Sequence, residues 1–191
     1  MKKDLGPKGY ILPMPVALIA TYNEDGTIDV MNMAWGTLVD SNMVLCCLDE
    51  SHKTVKNLKR GGEDFTISIA NIEHAPEADY FGIASGNTVK DKFERSKLHA
   101  SKSTHVNAPV IEEYPLTLEC KVHAMRTDED GNFLLYGEVI NTLVDESALN
   151  EKGEVDVTKL NAILFSSIDR SYYKIGEKVG KAWGIGLPFH K

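Results

Sequence analysis

Residues 28–54 read IDVMNMAWGTLVDSNMVLCCLDESHKT, and the fold turns on how this stretch is divided. Ile28, Val30, Leu38 and Val39 are strand formers, and the run MVLCCL from Met43 carries enough Val, Leu and Cys for a second, buried strand. Two strands and a turn therefore frame NMAWGT, residues 32–37, whose small residues and glycine let a flat ligand approach the backbone. Directly after the second strand, SHKT reads as a helix start with Ser51 as N-cap and Lys53 and Thr54 in the first turn. The free backbone N–H groups of such an end attract anions. Residues 51–60 also hold Lys53, Lys56, Lys59 and Arg60 and no acid, a local positive excess in a chain of net charge −7. An ordinary solvated amphipathic helix has the same pattern, and Lys59 and Arg60 lie a turn or more from its start.

Working outward, Pro13 and Pro15 stand before VALIATY (16–22), where proline does least harm to a strand, and NEDGT turns at Asp25-Gly26 into the strand from Ile28. Downstream, Val55 and Leu58 mark an amphipathic helix that Gly61-Gly62 stops. DFTISIAN (64–71) alternates as a half-buried strand. Residues 75–98 read as helical in two pieces, opened by Pro76 and broken at Ser85-Gly86. Residues 99–115 form a polar loop with one or two short extended pieces. LTLECKVHAMRT and NFLLYGEVINTLVD, joined by DEDG, form a long antiparallel hairpin, with Glu138 expected near a sheet edge. Residues 146–160 read as an insertion with a turn at Lys152-Gly153 and a short helix in VTKLNAI. SSIDRSYYKIGEKVG reads as a last turn or helix carrying two tyrosines, and the tail KAWGIGLPFHK exposes Trp183 and Phe189. Many short strands with helices as inserts predict a mainly β chain closed as an antiparallel barrel rather than a doubly wound sheet.

Composition sets the class. At 191 residues, 42% hydrophobic and 26% charged, the chain reads as one soluble domain, 1–191, able to bury a full core. Its negative charge argues against a nucleic-acid partner. Cys46 and Cys47 point to opposite faces of a strand, so with Cys120 they read as buried thiols in a reducing, cytoplasmic compartment. The opening superficially mimics a signal peptide, but Pro13 and Pro15 inside its apolar run favour a strand, and no stretch is long enough to span a bilayer. Among the histidines only His52 falls in a motif; His74, His99, His105, His123 and His190 lack metal-type spacing, and no metal is expected. No G-x-G-x-x-G follows a strand, so a nicotinamide would have to bind without a Rossmann domain.

Taken in order, PMPVALIATYNEDG (13–26), NMAWGT, SHKT, SGNTVKDKFE (85–94), GEV (137–139) and YYKIGEKVGKAW (172–183) resemble the landmarks of the flavin reductase-like family, which includes the flavoredoxins. The resemblance implies an FMN-binding split β-barrel, mainly β with helical insertions, usually a homodimer with flavin near the interface. It implies that Asn32, Met33, Ala34, Trp35, Gly36 and Thr37 line the isoalloxazine ring, with Asn32 offering a hydrogen bond and Trp35 an aromatic wall. Ser51, His52, Lys53 and Thr54 would hold the phosphate, and Ser85, Gly86 and Lys92 match the family's SG and DKF pieces. The activity it implies is hydride transfer from NAD(P)H to flavin N5, with no side-chain acid or base required; the alternative is a flavoredoxin-type electron carrier reduced by a protein partner, and a third class is a flavin-free binding module. One departure matters. Many NAD(P)H-using relatives carry a histidine a few residues before the GEV piece, where this chain has Asn132 and Phe133, and this weakens the case for a dedicated nicotinamide reductase.

Overall fold

A computed structural model describes residues 1–190. The strands are β1 (Met14–Pro15), β2 (Ala17–Tyr22), β3 (Ile28–Met33), β4 (Gly36–Asp40), β5 (Met43–Asp49), β6 (Asp64–Ile69), β7 (Ala100–Lys102), β8 (Pro109–Ile111), β9 (Leu116–Thr127), β10 (Asn132–Val144), β11 (Ile163–Ser166) and β12 (Ser171–Lys174). The helices are α1 (Lys53–Lys59), α2 (Ala75–Ile83) and α3 (Lys92–Ser96). Seven strands form one antiparallel sheet in the order β3-β2-β6-β9-β10-β5-β4, while β1-β11-β12 and β7-β8 make two smaller sheets.

The two edges of the large sheet, β3 and β4, are consecutive in the chain and joined only by Ala34 and Trp35. Roughly 11 Å of chain must therefore bridge from one edge to the other, so the sheet has to curl round on itself. It closes by this covalent link rather than by hydrogen bonds, which is the sense in which the barrel is split. The segment read as two strands is thus three, because the backbone leaves β2 after Met33 and takes up β5 from Trp35, whose O accepts from Cys47 N at 2.8 Å, with β4 pairing from Gly36. A Cβ on Gly36 would come 2.6 Å from the tip of the Met33 side chain and 3.3 Å from Leu45 O, so a larger residue at the crossing would require Met33 to repack.

Alternation along the strands fills the barrel. Ile19, Met31, Met33, Val44, Cys46, Leu48, Phe65, Ile67, Cys120, Phe133 and Leu135 point inward, and α1 adds Val55 and Leu58. A second core lies outside the barrel, where Leu18, Ala20 and Val30 meet Ala78 and Phe81 of α2, Phe93 of α3, Ile111 and Ile163. β6 was expected to be half-buried, yet Thr66 and Ser68 on its other face are buried too, because β8 and β9 supply partners for their hydroxyls: Thr66 donates to Pro109 O at 2.6 Å, and Ser68 pairs with Thr117 at 2.9 Å.

Three other expectations change. Glu138 is exposed but lies on β10 between β9 and β5, paired with Lys121 and Met43, and is not at an edge. Residues 157–162 form turns rather than a helix, leading to a bridge between Asn71 and Ala162. The stretch read as a last turn or helix holds a turn at 167–170 followed by β12, which folds back on β11 and pairs Phe165 with Tyr172. The tail does leave Trp183 and Phe189 exposed, at 96% and 92%; its last residue, Lys191, lies outside the described residues. No helix among the described residues is long and apolar enough to cross a membrane.

Candidate functional site

A cleft of about 600 Å³ opens at the split of the barrel. Asn32 at the end of β3, Ala34 and Trp35 of the crossing, and Cys47 and Asp49 of β5 form one side, and Asp79, Gly82 and Ile83 of α2 another. The tip of the β9–β10 hairpin contributes Asp130, Gly131 and Asn132, and the small sheet contributes Phe165 and Tyr172. Trp35 and Phe165 have ring centroids 6.3 Å apart, and Phe165 and Tyr172 6.0 Å, a tilted aromatic series along one wall. Two side-chain bonds fix the wall's parts. Asn32 Nδ2 donates to Ala78 O at 2.8 Å, tying β3 to α2, and the Tyr172 hydroxyl donates to Asp79 Oδ1 at 2.7 Å, tying β12 to α2. Burial and the bond to Asp79 push the Tyr172 hydroxyl up to about 12.

The cleft continues into a recess of about 100 Å³ through residues common to both, Met31, Asn32, His52, Gly82 and Ile83. The recess is lined by Asp29, Lys53, Thr54, Phe81, Ala84, Ser85, Gly86 and Lys92. Lys92 is buried, its Nζ donating to Phe81 O at 3.0 Å; burial pulls its ammonium below the usual lysine range, with Asp29 acting the other way. Thr54, also buried, donates to Asp29 Oδ2 at 2.6 Å. Gly86 packs on the same carboxylate, and a Cβ there would collide with Asp29 Oδ1. Asn87 Nδ2 donates to Ser51 O at 3.0 Å and Asn87 Oδ1 accepts from Lys56 Nζ at 2.7 Å, which holds the 85–88 turn beside the start of α1.

The cations of residues 51–60 divide by partner. Lys59 pairs with Glu50, and Arg60 Nη1 lies 3.4 Å from Glu24 Oε2, while Lys53 Nζ forms no hydrogen bond or ion pair among the described residues. The helix begins one residue later than read: His52, not Ser51, is its N-cap, and Ser51 instead donates its N–H to Asp49 Oδ1 at 2.8 Å. Buried His52 Nδ1 has no hydrogen-bond partner, an orphan polar atom where cleft and recess meet.

Of the residues singled out in the sequence, Asn32, Ala34, Trp35 and His52 line the cleft, and Asn32, His52, Lys53, Thr54, Ser85, Gly86 and Lys92 line the recess. Met33 points into the barrel core, and Gly36, Thr37 and Ser51 line neither space. Sequence reasoning missed Asp79, Gly82, Ile83, Phe165 and Tyr172, which reach the site only through the packing of α2 and the β11–β12 hairpin. Asn132 lines the cleft at the position of the departure noted above, whereas Phe133 is buried in the barrel.

An antiparallel barrel split at one seam, with an aromatic cleft in the seam and a lysine-bearing recess behind it, defines a flavin reductase-like split-barrel protein. The family model for the flavin reductase like domain matches residues 9–167, and the chain belongs to that family. It is similar to the solved flavoredoxin of Desulfovibrio vulgaris (Miyazaki F), 32% identical with a TM-score of 0.90 over 97% of this chain and 100% of that one. It is also similar to the flavoredoxin from Methanosarcina acetivorans, 26% identical with a TM-score of 0.87 over 99% and 100% of the two chains. An uncharacterized protein of Methanothermobacter thermautotrophicus is 28% identical over 172 residues, 85% of this chain and 79% of that one.

Proposed function

We propose that the chain holds FMN as a resident redox group and works as an electron carrier of the flavoredoxin type. The observation that carries this is the division of one continuous space into a wide, aromatic-walled cleft and a narrow recess bearing two lysines. A flat tricycle and a dianionic phosphate need those two environments. The residues fit the group: Lys53 has no competing partner, Lys92 lines the recess, and His52 Nδ1 is a buried polar atom lacking the hydrogen bond a ligand supplies. Asp29 adds a negative charge there, but its Oδ2 is engaged by Thr54 and its Oδ1 faces Gly86.

When bound, FMN supplies reversible electron acceptance at its isoalloxazine ring, and the protein supplies position and field. Lys53 and Lys92 hold the phosphate end, Trp35 and Phe165 wall off water, and the Asn32 bond to α2 keeps the cleft's two sides at fixed spacing.

A second reading, reduction by NAD(P)H, meets an electrostatic obstacle. Asp49, Asp79 and Asp130 line the cleft, and no Lys or Arg among the described residues does. Hydrogen bonds from Ser51 hold the Asp49 carboxyl below its usual range, so it is ionised at neutral pH. A dinucleotide brings two further negative charges to that wall, whereas a protein donor with a basic face does not. The test is anaerobic: purified protein should be yellow with bound FMN, keep its colour for many minutes with NADH or NADPH, and bleach with a one-electron protein donor. Colourless protein that takes up no FMN would overturn the cofactor assignment; bleaching by a nicotinamide within seconds would restore the reductase reading. Assembly as a homodimer belongs to the same proposal.

A further inference from the structure

The carboxyl-terminal arm, residues 175–190, leaves β12 and makes backbone hydrogen bonds only within itself, among them Ile185 N to Lys181 O at 3.1 Å and Phe189 N to Gly186 O at 3.0 Å. Its large apolar side chains face outward, with Val179, Trp183 and Phe189 each more than nine-tenths exposed. Isolated surface hydrophobes are ordinary, but so many within eleven residues mark a contact surface. Trp183 also has φ +56, a conformation a bulky side chain seldom holds without packing to fix it.

On the domain surface lies an apolar groove of about 560 Å³, lined by Leu12, Pro13, Leu164, Phe165, Ile168 and Tyr173. Asp169 stands in the same lining, its carboxylate accepting the Tyr173 hydroxyl. The arm carries Lys178 and Lys181 against one acid, Glu177, in a chain of net charge −7, so arm and groove match in both hydrophobicity and charge. The groove contains Tyr173, two residues before the arm departs, and yet no residue of the arm of the same chain lines it. Phe165 lies in both the groove and the flavin cleft, so whatever fills the groove abuts the wall of the cleft.

We propose that the arm crosses to a second copy of the chain, where Trp183 seats in the partner's groove and Lys178 and Lys181 face its Asp169. The exchange is reciprocal, as two-fold symmetry requires. It rests on the two-copy assembly proposed above and adds which segment crosses and where it lands.

The test mixes two full-length variants, Ile168→Cys in isotopically labelled protein and Trp183→Cys in unlabelled protein, and oxidises the mixture gently. A disulfide joining positions 168 and 183 between a labelled and an unlabelled chain, found by mass spectrometry, is the expected result. Glu138→Cys, exposed and away from the groove, replaces Ile168→Cys in the control and should link at least tenfold more slowly; equal rates overturn the proposal. In the doubly substituted chain, a disulfide closed within one chain means that the arm folds onto its own groove, and that too overturns it. Light scattering separates the two levels. Dimers without the inter-chain link overturn only the arm's placement, and monomers at micromolar concentration remove the assembly as well.

Discussion

Replacing Lys92 with Met tests the phosphate end of the site. Lys92 is buried in the recess and keeps only one protein bond, to Phe81 O, with its Nζ 5.7 Å from the Phe81 ring centroid. Methionine has nearly the same length and no charge, so the recess keeps its shape and loses its cation. A hydrogen bond to a charged group is worth about 1.5 to 3 kcal/mol, a factor between about 10 and about 160 in dissociation constant. The variant also leaves the Phe81 carbonyl without its donor, which lowers stability whether or not a ligand is present. The informative quantity is therefore the ratio of FMN to riboflavin affinity within each protein, measured by quenching of flavin fluorescence, because riboflavin lacks the phosphate and shares everything else. The preference of the unmodified protein for FMN should fall by at least about tenfold in the variant, with riboflavin binding nearly unchanged. It should also decline with rising pH before the ordinary lysine range near about 10.4, since burial lowers the Lys92 value and only the protonated form attracts the phosphate. An FMN-to-riboflavin ratio within twofold of the original in Lys92→Met would refute the assignment of the recess.

Three further outcomes follow from the geometry. Gly86→Ala drives a Cβ into Asp29 Oδ1 and against the Lys53 side chain, so FMN affinity should drop together with the melting temperature; a variant that binds normally would show that the 85–86 backbone does not close the recess. Glu119 is fully buried, its carboxylate accepting from Ser103, from Asn141 Nδ2 at 2.6 Å and from His105 Nδ1 at 2.9 Å, and Glu119→Gln should cost about 1 to 3 kcal/mol at neutral pH. Burial alone would raise that carboxyl, but these partners outweigh it and hold it below its ordinary value. Its contribution is therefore present above the unfolded value near about 4.3 and lost as pH falls through the folded one. The melting-temperature gap between the two proteins should narrow in acid, and a constant gap would contradict this. Asp49→Asn combined with Asp130→Asn removes two of the three carboxylate charges that line the cleft and repel an anionic dinucleotide. Apparent affinity for NADH should rise severalfold at low salt and little at high salt, and insensitivity at both would remove the electrostatic case against a nicotinamide donor.

Much of the barrel was legible because its signals are local. The β9–β10 hairpin announces itself by two long alternating runs around DEDG, and β2 and β5 by dense apolar residues with a turn beside them. Misreadings arose where tertiary position overrides the local pattern. Thr66 and Ser68 look solvent-facing, but β6 sits mid-sheet, where Pro109 O of the overlying β8 and Thr117 of the neighbouring β9 satisfy the two hydroxyls. SYYK looks like a helix fragment in the sequence, yet its residues pair across a four-residue turn with ILFS, and nothing in either tetrapeptide names the other.

The site divides along the same line. The recess residues legible in the sequence come in short pieces, His52–Thr54, Ser85-Gly86 and the lysine of DKF, as the few neighbouring donors of a small-anion site would. On the proposed reading the cleft surrounds a ring system larger than any one turn of chain, and its wall is gathered from segments as far apart as Asn32 and Tyr172. What brings them together is the crossing at Ala34 and Trp35, two residues that must link the opposite edges of a seven-stranded sheet. The ladder cannot continue through them, so the barrel is left open at that seam, and α2 and the β11–β12 hairpin pack beside the opening. The place where the strand pattern breaks off is therefore also the place where a flat ligand can enter.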